Sequence, residues 1–444
     1  MTNSNSQRQI LILGAGKSCA HLIKYLSEHT LQYSYKLVIL DINTSLVPKS
    51  IVEMPQVEVY QIESGDISQY ENWIKDSYIT ISMLPAFMHM DIAKQCLRLG
   101  SHLITPSYIS DEMKAIGTEV ESKNLIFLNE MGFDPGIDHM TTLKIYHQLE
   151  SEGAKLYSYK SYAGGLVAKH CDNNPWHYKF SWNPRNVILA GQGGEIKYKK
   201  NDAIERLDYY SLFKNAEKIS ISNGLEFDAY ANRDSLKYES LYGWANISTL
   251  LRGTLRHDGF CKAWNTLIEL GLTDNSIQLV DVKGKSYSEF YQRFTQKDSS
   301  EYLSQIADDS ILKKLNSIGF EDNNSLIEKD GTAAEILQSI LEKKWKLEPE
   351  DTDWIVMVHF LEYEKNGQKF QLESYLSLEG ENALYTAMSK TVGMPIAFAA
   401  IMVLNGEIKS KGVLMPSSEE IYNPILNQLE KIGVKFQEKI YLMT

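Results

Sequence analysis

Cysteine is scarce in this chain. Four residues, Cys19, Cys96, Cys171 and Cys261, are spread over 444 positions and form no CxxC pair. That spacing indicates neither a disulfide framework nor a zinc site, and it suits a reducing cytoplasm. Positive charge is also in deficit. The net charge of -12 argues against nucleic acid or an anionic membrane as the main partner. No apolar run reads as long enough to span a bilayer, and the opening MTNSNSQRQ lacks the apolar core of a signal peptide. These absences predict a soluble cytoplasmic protein, and the length allows two or three domains. No internal repeat or low-complexity stretch interrupts the chain.

What is present begins with alternation. QILILGAG (9–16), KLVILD (36–41), VEVYQI (57–62), YITISML (78–84), HLIT (102–105) and LIFL (125–128) read as six apolar strands. Helices fall at KSCAHLIKYLSEH, near 89–99 and near 111–123, and SQYENWIKD opens with a capping box from Ser68 to Glu71. Strands and helices joined by short loops predict an α/β fold, a Rossmann-type doubly wound parallel sheet over residues 1–138. After residue 153 strands mix with loops rich in Trp, Asn and Pro. This part, 139–257 with 346–390, is expected to be an α+β domain, and 258–345 a helical insert. WIVMVHFLEYEKNGQKFQLESYLSLEG (354–380) reads as a hairpin turning at Asn366-Gly367. TAMSKTVGMPIAFAAIMVLNGE (386–407) reads as an apolar helix entered through Gly-Met-Pro. The segment 391–444 is expected to return to the first domain.

Gly14-Ala15-Gly16 follows the first strand and opens a helix. Backbone amides at a helix N-terminus can cradle a pyrophosphate there. Cys19 replaces the third glycine of G-x-G-x-x-G, and the competing reading is a tight turn in any α/β domain. The second strand ends in Asp41. A carboxylate at that place accepts ribose hydroxyls and repels a 2′-phosphate, which favours NAD over NADP.

In an open parallel sheet the ligand sits beyond the carboxyl ends of the strands. Three marked stretches fall there: MLPAFMH (83–89), TPSYIS (105–110) and NEMGFDPGIDHM (129–140). The last holds three carboxylates and a histidine around a Pro-Gly turn, more chemistry than a turn needs. Asp134 reads as functional and Glu130 and Asp138 as structural, while His139 fits either. His170, Cys171, Asp172 and His177 look metal-like, but no metal is expected.

Longer stretches carry a resemblance. SYIS (107–110), NEMGFDPGIDHM (129–140), SYAGGLVA (161–168), NNPWHYKFSWNPRNVI (173–188), ANRDSLKYESLYG (231–243), TLLRGTLRHDGF (249–260), AMSKTVGMPIA (387–397) and EIYNPIL (420–426) closely resemble the glutamate-forming saccharopine dehydrogenase (saccharopine reductase) family, almost end to end. The final segments resemble its longer form, which includes the dehydrogenase half of the animal bifunctional enzyme.

The resemblance implies oxidation of saccharopine with NAD(P)+ and water to L-glutamate and α-aminoadipate semialdehyde, by hydride transfer and then imine hydrolysis. It implies a small amino-acid substrate and a homodimer. Ser107, Tyr108, Arg233, Thr254, Leu255 and Arg256 would touch the substrate. Gly14, Ala15, Gly16, Lys17 and Asp41 would hold the dinucleotide. Leu84, Pro85, Thr105, Pro106, Ser107, Phe133, Asp134 and Pro135 would meet its nicotinamide end.

The residue types suit this chemistry. Arginine is rare, eight in all, yet five (Arg185, Arg206, Arg233, Arg252 and Arg256) lie between 185 and 256. A forked guanidinium is the natural grip for a carboxylate. The secondary amine must lose a proton before hydride transfer, and a base within reach contributes roughly 10²–10⁴-fold. Asp134 and Tyr108 are the candidates, with His139 third. Asp134 could equally hold the substrate ammonium or brace its loop. Ala163 departs from the family's frequent cysteine, so no thiol can act there.

Two other readings compete. One is a related dehydrogenase on a carboxynorspermidine-type amine, which would want acidic grips in place of Arg233 and Arg256. The other is a non-catalytic NAD-binding regulator.

Overall fold

A computed structural model describes residues 7–63, 66–244 and 246–443. The chain forms two compact units, residues 1–152 with 380–435 and residues 153–379 with 436–444.

The first unit is built on seven parallel strands. β1 (Arg8–Leu13), β2 (Tyr35–Asp41), β3 (Val57–Gln61), β4 (Ile79–Ser82), β5 (His102–Ile104) and β6 (Ile126–Leu128) are joined by the strand Gly412–Leu414. Across the sheet the order is Gly412–Leu414, β6, β5, β4, β1, β2, β3. The order therefore reverses between β1 and β4, the switch point where doubly wound sheets take ligands. A parallel sheet covered on both faces needs apolar residues at consecutive positions. Ile10, Leu11, Ile12 and Leu13 are accordingly all fully buried. Helices α1 (Ala20–Glu28), α2 (His89–Leu99) and α3 (Ile137–Ser151) come after β1, β4 and β6 in the chain.

The helix Ala387–Leu404 returns to pack on α1. A Cβ at Gly393 would lie 2.9 Å from the backbone nitrogen of Leu22, so glycine permits the close approach. This helix differs from the sequence reading in two ways. It starts at Thr386, whose hydroxyl accepts from Ser389 N at 2.9 Å, so Gly-Met-Pro lies two turns inside it. It is also long and apolar enough to cross a membrane, although 89% of it is buried within the protein. A capping box at Ser68 does not form. Asp66 caps this turn, accepting from Ser68 N at 2.9 Å, because it is Asp66 that stands at the N-cap, directly before the helical turn Ile67–Tyr70.

The first unit runs to residue 152, past the expected boundary at 138, because α3 packs on it. His147 Nδ1 of α3 lies 2.7 Å from the Tyr422 hydroxyl of the helix Glu419–Lys431.

The second unit holds a nine-stranded mixed sheet. Its strands include β7 (Lys155–Val167), β8 (Ile196–Lys200), β9 (Ala203–Leu207), β10 (Glu217–Ser220), β11 (Glu226–Ala231) and β12 (Thr249–Arg256). A short ribbon, β13 (Gln278–Leu279) with β14 (Gly331–Thr332), lies apart from this sheet. β15 (Asp353–Lys365) and β16 (Gln368–Glu379) form the hairpin at Asn366-Gly367, both at positive φ (54° and 74°), as a type I′ turn demands. The strand Gln437–Leu442 pairs with β16, so the last residues belong here and not with the first unit as expected. Trp176, Trp264 and Trp345 lie fully buried in a core shared by the loops after β7 and the helices of 260–344. The insert is thus continuous with this unit's own core.

Candidate active site

Candidate residues lie in both units. In the first, the loop after β1 turns through Gly14 at φ 99°, where a Cβ would stand 3.0 Å from Met83 O. Only glycine lets this loop pass so close to the end of β4. No heavy atom lies within 4 Å of where a Cβ on Gly16 would be, so its backbone faces open space. The first helical turn, Lys17–Cys19, is 3₁₀, and Lys17 is exposed. Cys19 takes up the third-glycine position by burying its side chain. Its thiol donates to Gly14 O at 3.4 Å, and burial pushes its pKa up to about 12. Asp41, at the end of β2, accepts from the amides of Ala15 and, at 2.7 Å, of Asn43. A glycine-rich turn open to solvent at Gly16, a helix start and a carboxylate ending β2 fit a dinucleotide.

The carboxyl ends of β4, β5 and β6 are knitted together. Met131 N donates to Thr105 O at 3.2 Å and Glu130 N to Ser107 O at 3.0 Å. Within 129–140 every residue is buried except Asp134. The other two carboxylates are braces. Glu130 Oε2 lies 2.7 Å from His139 Nε2, and its Oε1 accepts from Ile109 N at 3.0 Å. Asp138 accepts from Gly136 N at 2.6 Å, with its other oxygen 3.6 Å from His139 Nδ1. His139 is therefore enclosed between two carboxylates, which removes it as a base. Gly136 sits at φ 146°, and a Cβ there would fall 2.1 Å from Gly132 O. The turn holds Asp134 outward, where its Oδ1 accepts from the Tyr108 hydroxyl at 3.3 Å. Pro106 and Ser107 are half-buried beside Thr105, while Phe133 and Pro135 are buried. Leu84 is half-buried and Pro85 exposed in the loop after β4.

His89, at the start of α2, carries a role that residue patterning did not reveal. Its Nδ1 lies 2.9 Å from Ser82 Oγ, and its Nε2 lies 2.7 Å from Ser107 Oγ and 3.2 Å from Thr105 Oγ1. Burial depresses its pKa to about 4. The signal available was only its place at the end of MLPAFMH.

In the second unit, β11 and β12 pair antiparallel, with Asp228 opposite Arg256 and Ala231 opposite Gly253. Arg233 follows β11 at φ 54° and is exposed. It stands level with the middle of β12, several residues from Arg256. Thr254 is half-buried and Leu255 fully buried. Ala163 pairs with Thr254, so the missing thiol would have stood beside it. Arg256 is 3% exposed, and its guanidinium lies 5.3 Å from the ring centroid of Tyr178, 5.5 Å from Phe260 and 5.7 Å from Tyr230. Its Nη1 donates to Leu255 O at 2.9 Å, and among the described residues its Nε has no partner and no carboxylate pairs with it. Of the other arginines, Arg206 pairs with Glu195 at 2.7 Å, Arg185 reaches Asn275, and Arg252 stacks on Tyr238 at 4.3 Å. His177 Nδ1 lies 2.6 Å from Asp172 Oδ2.

Both parts of the chain have counterparts among known proteins. Residues 10–128 match the saccharopine dehydrogenase NADP binding domain and residues 132–434 the saccharopine dehydrogenase C-terminal domain. The Schizosaccharomyces pombe saccharopine dehydrogenase [NADP(+), L-glutamate-forming] is 29% identical over 97% of this chain and 98% of its own length. The Arabidopsis thaliana alpha-aminoadipic semialdehyde synthase is 29% identical over 97% of this chain, which spans 44% of that longer protein. The apo saccharopine dehydrogenase (L-Glu forming) of Saccharomyces cerevisiae superposes with a TM-score of 0.87 at 28% identity, covering 98% of this chain and all of that one. With a nicotinamide-dinucleotide fold in the first unit and the family's second domain following it, the chain belongs to the saccharopine dehydrogenase family.

Proposed function

We propose that the chain is an L-glutamate-forming saccharopine dehydrogenase. The observation that carries this reading is Asp134, the one residue of 129–140 that is only half-buried, at the carboxyl edge of the sheet that also bears the dinucleotide loop. A bound nicotinamide dinucleotide would supply the hydride acceptor. Gly14, Ala15, Gly16 and Lys17 would hold its pyrophosphate and Asp41 its ribose. Leu84, Pro85, Thr105, Pro106, Phe133 and Pro135 would exclude water around its nicotinamide end.

The chain's own residues then have defined tasks. Asp134 takes the proton of the substrate's secondary amine, with the Tyr108 hydroxyl as its hydrogen-bonded partner. Hydride leaves the lysine-side carbon next to that nitrogen, giving an imine. Water adds to the imine carbon, and breakage of the carbon–nitrogen bond releases glutamate and the semialdehyde. Ser107, Thr254, Leu255, Arg233 and Arg256 position the three carboxylates. A buried Arg256 with no carboxylate paired to it among the described residues supports an anionic substrate, since a buried guanidinium is costly until an anion meets it. A polyamine would not be served by it.

The Schizosaccharomyces pombe relative is named for NADP(+), and the Arabidopsis thaliana one carries no cofactor in its name. We favour NAD for this chain, because the Asp41 carboxylate occupies the place where a 2′-phosphate would need a cation. The test is absorbance of reduced cofactor on adding saccharopine with NAD and, separately, with NADP. Turnover with NAD exceeding NADP supports both substrate and cofactor. Turnover with NADP alone keeps the substrate and overturns the Asp41 reading. Silence with both, in protein that binds NAD, overturns the substrate.

A further inference from the structure

Ser107 is surrounded by more hydrogen-bonding side chains than a surface loop requires. His89 holds it from below, and every hydroxyl in reach of that imidazole is engaged. Ser82 ends β4, Thr105 and Ser107 follow β5, and all three touch one ring. Thr105 Oγ1 also accepts from Ser107 N at 3.3 Å. We propose that His89 is a positioning residue that fixes Ser107 as a hydrogen-bond donor to a substrate carboxylate. The proposal rests on the reading of Ser107 as a substrate contact.

The number of protons in this cluster decides their places. The buried imidazole is neutral near pH 7, as its depressed pKa also indicates, so it has one N–H and one lone pair. Ser82 is fully buried, and among the described residues its hydroxyl meets only His89 Nδ1. A buried hydroxyl left without an acceptor is costly, so Ser82 donates to Nδ1. The imidazole proton must then sit on Nε2. From there it donates to Ser107 Oγ, with Thr105 Oγ1 as the more distant acceptor. Ser107 accepts this bond, so its own proton points elsewhere and is available for an anion. The opposite tautomer would strand the Ser82 proton. It would also set the Ser107 and Thr105 hydroxyls competing for a single lone pair on Nε2.

Two measurements test this. The first is the ¹⁵N spectrum of the histidines in the full-length protein, with His89 assigned by loss of its signals in His89→Gln. An Nε2–H tautomer is expected, and an Nδ1–H tautomer overturns the proposal. This readout needs no substrate, so it stands apart from the assigned reaction. The second is a double-mutant cycle in steady-state kinetics with saccharopine. Loss of one oriented bond to a charged group predicts a rise in KM of about ten-fold for His89→Ala, with a smaller change in kcat. His89→Gln, which keeps an N–H donor near the Nε2 position, should recover most of it. In a Ser107→Ala background the His89→Ala change should add nothing. Full additivity of the two, or an equal loss of dinucleotide affinity in His89→Ala, would show a merely structural role and overturn the proposal.

Discussion

The Tyr108 hydroxyl donates to Asp134 Oδ1 at 3.3 Å, joining the loop after β5 to the one residue of 129–140 that is not fully buried. If Asp134 is the base, Asp134→Asn should lower kcat by roughly 10²–10⁴-fold while leaving dinucleotide affinity intact. Tyr108→Phe removes only the partner and should cost about ten-fold. Steady-state kinetics with saccharopine checks both. An unchanged kcat in Asp134→Asn would reduce Asp134 to a loop brace.

The turn that presents Asp134 depends on glycine. A Cβ at residue 136 would fall 2.1 Å from Gly132 O and 2.4 Å from its nitrogen. Gly136→Ala should destabilise the first unit by more than about 2 kcal/mol, since backbone and not a flexible side chain must move. Thermal unfolding measures it, and an unaltered Tm would mean the turn relaxes freely.

Asp41 is expected to set cofactor choice. Asp41→Ser removes the charge and should raise kcat/KM with NADP relative to NAD by roughly ten-fold or more. A ratio that does not move would place the discrimination elsewhere.

Arg256 sets stability against function. It is buried among aromatic rings with no carboxylate paired to it among the described residues. Arg256→Met should raise Tm, since replacing buried charge with apolar volume is often worth about 1–4 kcal/mol. The same change should raise the KM for saccharopine by roughly 10–100-fold through loss of a charge-assisted bond. A lower Tm with an unaltered KM would make Arg256 purely structural.

His102 should make the first unit acid-sensitive. Burial, with Lys411 and Arg8 adding to it, lowers its pKa to about 4, and its Nδ1 accepts from Ile126 N at 3.0 Å. The unfolded chain binds this proton at higher pH than the folded one. The stabilising contribution is therefore complete above about pH 6.5 and is lost as pH falls toward 4, on the order of 2–3 kcal/mol. His102→Asn keeps an acceptor without the titration, so its Tm should fall less steeply over that window. Parallel curves would show that His102 is not the group involved.

The sequence by itself determined the first unit's sheet. Runs such as ILIL and LVIL are apolar at every position because helices cover both faces, and that pattern is local. Gly14, Gly16 and Asp41 were legible for the same reason: each sits at a strand end, at an offset the backbone geometry requires. The Asn366-Gly367 turn was likewise readable from two residues.

The division of labour among Glu130, Asp134, Asp138 and His139 was readable only in outline, with Asp134 functional, Glu130 and Asp138 structural and His139 open. All four share one short stretch, and chemistry alone makes each a candidate. Tertiary structure decided it by burying Glu130, Asp138 and His139 against one another and turning Asp134 outward. His89 lies 18 residues from Ser107 and joins it only because α2 begins where β4 and β5 end. The aromatic enclosure of Arg256 is a property of what surrounds it, across strands and helices far apart in sequence. Patterns of period two or near four record which face is buried. Which polar group meets which partner is fixed only when the chain closes on itself.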